Sequence, residues 1–433
     1  MEDILARAKK VAEEAEVFTV SSEETPVQFE ANRLKHIQSK QRTSTALRII
    51  RDGRIGYATT TELDNRAALV NMALETAQFG RQAQFEFPTP PSYPRVEVFD
   101  PAVTSVPIEA MIQLGEQLIA TVRKDTPDLL CQADVVKITA SINIINSQGG
   151  QASYNISSFG LAVEGSLIRN TDMLFVGDSE TSCHPIIQPG TVADAVLRQL
   201  ALAREKASVS SKTLPVVFTP VGVASALTTP LMAAFNGKVV LQGASPIGRR
   251  LDEKVFDEKL WLSDDPTMAY RPGSRPCDDE GVPSQRTLII EQGRVTNFLY
   301  DLQTAGLANK KSTGNGTRGH GGQPAPSPSA FVIAPGDTNF DEMVSDIKEG
   351  LVIEQLMGAS QGNILSGDFS GNVLLGYKIE NGEIVGRVKD TMASGNVYQV
   401  LKEITAIGND ARWVGNSVNT PSLYCPGLSI ASK

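Results

Sequence analysis

The sequence predicts an α+β protein whose sheets are largely antiparallel. Strand-like and helix-like segments are mixed along the chain, without the regular β-α-β alternation that is typical of a parallel sheet. Runs of alternating apolar and polar residues are separated by three turn dipeptides: Asp52-Gly53, Gln292-Gly293 and Asn381-Gly382. Because both central positions of a type I′ turn need positive φ, such dipeptides predict tight antiparallel hairpins. A chain of 433 residues is too long for one compact core, so two or three domains are expected.

The first predicted segment, residues 1–90, is a small subdomain of strands and helices. Apolar residues at helical spacing predict an amphipathic first helix: Ile4, Leu5, Ala8, Val11, Ala12 and Ala15. Strands are predicted at 17–20, 26–30, 46–50 and 55–60, and a helix at 64–79. The proline-rich run over residues 87–94 then predicts a linker or a surface crossing.

The second predicted segment, residues 104–207, is an α+β subdomain. Ser105 is expected to cap a helix that carries Pro107 in its first turn. Strand-rich runs fill residues 134–176 and are divided by Gly149-Gly150. Another helix is predicted from Thr191 to about Lys206, and the small polar residues that follow mark the main domain boundary.

The third predicted segment, residues 213–433, is rich in β-structure. It opens with a strand at 214–218 and a helix-like stretch over 222–235, in which Pro230 is expected to produce a kink. Two of the three hairpins lie in this segment. Between them, residues 310–329 form a long run of glycine, proline and serine. Loops of this length inside a compact domain are usually functional or disordered.

The composition excludes several classes of function. The net charge is -9 and the sequence pI is about 5.1, which disfavours a nucleic-acid-binding protein because such proteins need a basic face. No run approaches the roughly 20 apolar residues of a membrane span. The four cysteines are scattered and form no CxxC pair, which is typical of reduced thiols. A cytoplasmic location is therefore expected.

The glycine pattern Gly314-x-Gly316-x-x-Gly319 is the first candidate site. In a dinucleotide-binding unit these glycines follow a strand and open a helix, but here no strand precedes them and several prolines follow. The interpretations left are a plain loop or a loop whose backbone N–H groups bind a peptide or an anion. His320 lies in the same loop.

Three adjacent acids, Asp278, Asp279 and Glu280, are the second candidate. Such acids can supply a metal ligand or a general acid–base pair, although a solvated turn is the commoner role. The substrate-binding residues predicted from both candidates are Asp278, Asp279, Glu280, Gly314, Asn315, Gly316 and His320.

No catalytic residue and no metal ligand is predicted from the histidines. Zinc hydrolases usually place two histidines on one face of a helix, with a glutamate as base. The three histidines, His36, His184 and His320, lie far apart in the sequence and none is followed by glutamate.

Five runs in the C-terminal half together resemble the TldD/PmbA family, whose members have been described as modulators of DNA gyrase. They are RPCDDEGVPSQRTLIIEQG (275–293), FLYDLQTA (298–305), KKSTGNGTR (310–318), GDFSGNVLLGYKIENGEIVG (367–386) and SGNVYQVLKEITAIGND (394–410). The chain is most similar to the PmbA/TldE branch. The resemblance implies an N-terminal α/β part, with mixed or antiparallel strands, joined to a C-terminal domain rich in antiparallel β-structure.

The resemblance also implies a cytosolic protease of two subunits, in which the TldD subunit holds zinc on an HExxxH helix. The corresponding stretch here is 216–237, where Thr228, Thr229 and Ala233 stand in place of the two histidines and the glutamate. Residues 212–250 contain no histidine and no cysteine. Cys425 lies beyond the position of the family's cysteine ligand, so that role is not assigned to it.

The favoured hypothesis is a metal-free TldE/PmbA-type subunit that completes the chamber of a metallopeptidase and binds unfolded peptide. No cofactor is expected in this chain, and zinc is expected in a TldD-like partner. The partner is predicted to be that subunit, or a second copy of this chain in a homodimer, with no nucleic acid and no membrane. Two alternatives stay open: a stand-alone hydrolase with an unrecognised site, and a non-catalytic homo-oligomeric scaffold. Whether the isolated chain is an enzyme is left open.

Overall fold

The computed structural model describes residues 1–62, 65–89, 92–170, 172–319 and 322–432. It confirms the α+β class, with antiparallel pairing throughout the N-terminal sheet and in most of the C-terminal half. In the described ranges, no helix is both long and apolar enough to cross a membrane.

The N-terminal half is built on one seven-stranded sheet with the order β4-β3-β1-β5-β6-β7, to which β2 adds by pairing with β1. Its strands are β1 (Glu14–Glu30), β2 (Arg33–Ile37), β3 (Lys40–Arg51), β4 (Arg54–Thr60), β5 (Leu130–Asn146), β6 (Gln151–Arg169) and β7 (Asp172–Ser182). The helices of this half are α1 (Glu2–Ala8), α2 (Arg66–Ala77), α3 (Pro101–Ser105), α4 (Ile108–Arg123) and α5 (Gly190–Leu202).

Several predicted boundaries in this half are wrong. The strands expected at 17–20 and 26–30 are parts of the single strand β1. Helix α1 ends at Ala8, because Glu13 already donates its N–H to the carbonyl of Ile50 and the following residues pair with β3. Ser105 does not cap a helix. It is the last residue of α3, which Asp100 caps, and α4 begins after Pro107.

The two faces of the N-terminal sheet are covered by different parts of the chain, at opposite ends of strand β5. Strand side chains alternate between faces. On β5, the odd-numbered residues Cys131 and Val135 pack in one core with α4 and α5. The even-numbered residues Ile142 and Ile144 lie on the other face, where they pack with Cys277 of the C-terminal half. The sheet face around Ile142 therefore packs against the C-terminal half near Cys277. The core on the other face also contains residues of the C-terminal half, such as Met343 and Tyr377.

Strands from predicted segments 1–90 and 104–207 share this sheet, because β1 pairs with β5 along 14 residue positions, from Glu16 with Asn146 to Phe29 with Ala133. The division into domains 1–90, 104–207 and 213–433 stays a prediction.

The C-terminal half contains a seven-stranded sheet, a six-stranded sheet and a short two-stranded one. The seven-stranded sheet has the order β15-β8-β22-β18-β16-β17, with β19 paired to β22, and the six-stranded sheet has the order β11-β10-β9-β14-β21-β20. Two pairs, β8 with β15 and β14 with β21, are parallel. The strands are β8 (Lys212–Phe218), β9 (Leu262–Asp264), β10 (Thr287–Glu291), β11 (Arg294–Val295), β12 (Gly316–Thr317), β13 (Ala325–Pro326), β14 (Phe331–Ile333), β15 (Glu349–Met357), β16 (Asp368–Glu380), β17 (Glu383–Arg387), β18 (Thr391–Asn396), β19 (Ala406–Ile407), β20 (Arg412–Val414), β21 (Val418–Thr420) and β22 (Leu423–Ser432).

Short helices connect these strands. They are α6 (Pro220–Val223), α7 (Thr229–Ala234), α8 (Gly237–Leu241), α9 (Leu302–Leu307), α10 (Phe340–Ser345) and α11 (Val397–Val400), with 3₁₀ turns at Ala359–Gln361 and Ile364–Ser366. The helix-like stretch predicted over 222–235 is helical but irregular. Between α6 and α7 it widens into a π-helical turn, Ala224–Thr228, just before Pro230, whose missing N–H removes a helical hydrogen bond.

The three predicted hairpins are confirmed. Each central pair has positive φ at both positions: 51° and 70° at Asp52-Gly53, 48° and 75° at Gln292-Gly293, and 52° and 83° at Asn381-Gly382. The strands that flank them, β3–β4, β10–β11 and β16–β17, pair in antiparallel fashion.

Candidate functional site

The structure brings the two predicted motifs, the acidic turn and the glycine loop, into direct contact. Asp279 donates its N–H to the carbonyl of Gly316 at 2.9 Å, and Gly316 donates its own N–H to Oδ2 of Asp278 at 2.8 Å. The other oxygen of Asp278 accepts the N–H groups of Glu280 and Val282, both at 2.9 Å. The Asp278 carboxyl therefore shapes its own turn and also anchors the loop.

Most of the predicted site residues are buried and engaged within the chain. Asp278, Glu280 and Asn315 are fully buried. Asn315 donates from Nδ2 to Asp264 at 2.7 Å and accepts from the hydroxyl of Thr313 at 2.7 Å. Gly314 is also buried, with a φ of +75°. His320 lies outside the described residues.

The backbone N–H groups of the glycine loop bind side chains of this chain. Besides Gly316, Arg318 donates its N–H to Oδ2 of Asp279 at 2.7 Å. A side chain at Gly316 would displace Glu280, because a Cβ would lie 2.4 Å from Oε2 of Glu280. These contacts give the two motifs a common structural role, and substrate contact by their residues stays a prediction.

A buried network of ion pairs joins this turn and loop to the N-terminal sheet. Arg48 of β3 donates from Nη1 to Glu280 at 2.5 Å and from Nη2 to Glu16 of β1 at 3.2 Å. Arg318 of the glycine loop also donates to Glu16. All four side chains are at most 3% exposed. Guanidinium groups with several carboxylate partners suit such a site, since a buried charge without a partner is very costly.

Burial is the main influence on the pKa values of the acids in this region. Burial, and then the neighbouring Glu280, raise the pKa of Asp278 to about 8, against the opposing effects of Arg275 and of the backbone N–H donors. Burial also raises the pKa of Asp264, despite its hydrogen bonds, and the pKa of Asp301. Burial thus favours the protonated form of Asp278, against the three N–H groups that donate to its oxygens.

A cavity of about 330 Å³ lies beside the acidic turn, between the N-terminal sheet and the C-terminal half. One wall is the sheet face that carries Ile142, Tyr154 and Ile156. The opposite wall is the chain segment 271–275 together with Thr317 and Ser329.

The side chain of Arg275 borders both the network and the cavity. It donates to Asp279 at 3.3 Å and to the hydroxyl of Thr317 at 3.1 Å. Three polar atoms of cavity-lining residues have no hydrogen-bond partner among the described residues: Nε of Arg275, Oγ of Ser274 and Oγ of Ser329. Sequence reasoning missed this cavity, because its walls come from segments more than 100 residues apart.

The helical stretch in which the resemblance places a zinc site in TldD is apolar in this chain. Leu227 and Leu231 are fully buried in the C-terminal core. Thr228 is buried and donates its hydroxyl to the carbonyl of Ala224 at 2.8 Å, Thr229 is exposed, and Ala233 offers only a methyl group. Across the described part of the chain, no group of three His, Cys, Asp or Glu side chains is placed to hold a metal ion. Cys425 is buried in β22, opposite Val216 of β8.

Comparison with known proteins identifies the class of fold and then the family. The structure superposes on the crystal structure of TldE from Thermococcus kodakarensis with a TM-score of 0.89, at 20% identity and with 100% of each chain covered. An uncharacterized protein of Methanocaldococcus jannaschii is 26% identical over 434 residues, which cover 99% of each chain. The metalloprotease PmbA of Escherichia coli O157:H7 is 28% identical over 241 residues, which cover 56% of this chain and 50% of that protein.

Two family models match the chain. The PmbA/TldA metallopeptidase C-terminal domain matches residues 211–432, and PmbA/TldA metallopeptidase domain 1 matches residues 15–77. The chain therefore belongs to the PmbA/TldD family.

Proposed function

We propose that this chain is the PmbA/TldE-type subunit of a two-subunit metallopeptidase, in which it binds unfolded peptide and holds no zinc of its own. The observation that carries this proposal is the helical stretch from α6 to α7. It lies in a domain that matches the family's metallopeptidase model, yet it contains no side chain that binds zinc. Zinc sites in proteins are built from Cys, His, Asp and Glu.

The packing of the helical stretch from α6 to α7 supports the proposal that this chain holds no zinc there. Thr228, which stands where the family resemblance places a zinc ligand in TldD, donates its hydroxyl to the carbonyl of Ala224. Its neighbours Leu227 and Leu231 belong to the hydrophobic core. The stretch is thus committed to packing, so the hydrolytic metal of the proposed assembly would be supplied by a TldD-like partner.

Peptide binding is supported by two features. The cavity between the sheet and segment 271–275 has an apolar wall and unpaired polar atoms, a combination that is typical of ligand sites. Strand β7 lies at the edge of the N-terminal sheet, and Phe175 on it is exposed. An edge strand can accept an extended peptide through backbone hydrogen bonds.

The proposed location is the cytoplasm. All four cysteines are free and buried, which suits a reducing compartment.

The proposal is tested by size-exclusion chromatography with a TldD-like metalloprotease from the same organism. We expect the two chains to co-elute, and an unfolded substrate such as reduced casein to be cleaved only by the mixture. The control is a partner whose zinc helix has been inactivated, which should co-elute without cleavage. Elution of this chain as a homo-oligomer that does not bind the partner would favour the scaffold alternative. Cleavage by this chain alone would favour the stand-alone hydrolase.

A further inference from the structure

We propose that the cavity beside Arg275 binds a carboxylate group of the peptide, with an adjacent apolar side chain seated on the sheet wall. This inference rests on the proposed peptide-binding function and specifies which part of the peptide is recognised. It is carried by three unpaired donors and the charge of the residues that surround them.

The unpaired atoms are all hydrogen-bond donors. Ser274 and Ser329 are more than nine-tenths buried, and neither hydroxyl has a partner among the described residues. Nε of Arg275 is also unpaired, although both terminal nitrogens of the same guanidinium are bonded. A buried donor without an acceptor is unfavourable, so a ligand that supplies acceptors is favoured at this place.

The charged residues that line the cavity favour a ligand with an anionic acceptor. Arg271 lines the cavity, is exposed, and makes no ion pair within the described residues. The only acid of the lining, Asp279, already has Arg275 on one oxygen and the N–H of Arg318 on the other. The lining thus carries two arginines and one acid whose oxygens are both engaged, so its formal charge is positive. A carboxylate accepts several hydrogen bonds at once, and those from guanidinium groups are among the strongest.

The sheet wall of the cavity is apolar, so it favours an apolar residue next to that carboxylate. Val98, Ile142 and Ile156 line it, and each belongs to the N-terminal half. A volume of about 330 Å³ is at the lower end of the range for ligand pockets, enough for about one or two residues. A peptide that ends in an apolar residue with a free carboxyl group meets both requirements, and so does an acidic side chain next to an apolar one.

Three labelled peptides separate these two sources in a fluorescence-anisotropy titration of the full chain. The first ends in leucine with a free carboxyl and has no internal acid. The second is its C-terminal amide, and the third is an amide with one internal glutamate beside the leucine. We expect the free acid to bind at least about tenfold more tightly than the amide, since a hydrogen-bonded charge contributes on that order. Recovery of affinity by the third peptide would assign the site to acidic side chains.

The matched variants are Ser274→Ala combined with Ser329→Ala, and Ser284→Ala as the control. Ser284 is also buried with an unpaired hydroxyl, but it does not line the cavity. The double variant should reduce the preference for the carboxylate severalfold, and the control should keep it.

Equal binding of the free acid and both amides by the native chain would overturn the inference and leave the proposed peptide binding intact. An unchanged preference in the double variant would also overturn it. Absence of binding for all three peptides, together with no co-elution with a TldD-like partner, would instead refute the proposed function itself.

Discussion

Arg48 of strand β3 and Glu280 of the acidic turn are 232 residues apart in the sequence, and their side chains meet at 2.5 Å in the interior. Glu280 also accepts the N–H of Leu302, the first residue of α9, at 2.7 Å. Arg48 bonds Glu16 as well, so it links two strands of the N-terminal sheet to the C-terminal half. The contact between the two halves therefore depends on charge pairing as well as on apolar packing.

The first prediction concerns the removal of this arginine. Arg48→Met leaves Glu280 and part of Glu16 buried without a counter-charge, so the free energy of unfolding should fall by about 3–5 kcal/mol. Arg51→Met is the control, because Arg51 pairs with Asp52 at the exposed surface and such pairs contribute only about 0–1 kcal/mol. Urea unfolding of both variants provides the measurement. Similar losses in the two variants would contradict the structural role of the buried pair.

The second prediction concerns the glycine loop. In Gly316→Ala the new methyl group would meet Oε2 of Glu280 at 2.4 Å and push this carboxylate away from Leu302 and Arg48. We expect a loss of about 1–3 kcal/mol in thermal or urea unfolding, as for other overpacked sites. Gly190→Ala is the matched control, since Gly190 is exposed and its Cβ would meet nothing within 4 Å. A stable Gly316→Ala protein would show that the contact between loop and turn is dispensable.

The third prediction concerns pH. The pKa of Asp278 is about 8 in the folded protein, mainly because the group is buried, whereas in an unfolded chain it is about 4. Between these values the folded protein holds the proton that the unfolded chain releases, so stability falls as pH rises through this window and levels off above it. In Asp278→Asn the free energy of unfolding should depend less on pH. The variant should also lose some stability at every pH, because its side-chain amide would face the N–H of Gly316. Identical pH slopes for the native protein and the variant would refute the raised pKa.

The fourth prediction concerns the cysteines. All four thiols are buried, and burial raises the pKa of Cys131 to about 11 and the pKa of Cys277 and Cys425 to about 12. Because the thiolate is the reactive form, a thiol reagent at pH 8 should label the native protein very slowly. The same reagent in denaturant should label four thiols. Rapid labelling of the native protein at any one of them would show that its surroundings open in solution.

Structural features that depend on residues close together in the sequence could be predicted. The hairpins were predictable because Gly53, Gly293 and Gly382 tolerate positive φ. Element ends were less predictable. The apolar spacing at Val11 and Ala15 continues past the end of α1, because these side chains join the same core from a turn and from strand β1.

The candidate site was predictable only as separate motifs. The acidic turn and the glycine loop were both recognised, but their mutual contact depends on a bond between positions 278 and 316. The burial of Glu280 is not predictable from the sequence, because its partner Arg48 lies 232 residues away along the chain. The cavity was missed for the same reason, since Ile142 and Ser274 meet only in the folded chain.

Metal analysis of the purified full chain, combined with a cleavage assay on unfolded peptide, decides whether this chain is the metal-free subunit of a metallopeptidase. We expect no stoichiometric zinc in the isolated chain and no cleavage by it. We also expect chelator-sensitive cleavage once a TldD-like partner is added. Stoichiometric zinc in the chain alone, with peptide cleavage that a chelator abolishes, would show that this chain is itself the metal-bearing peptidase.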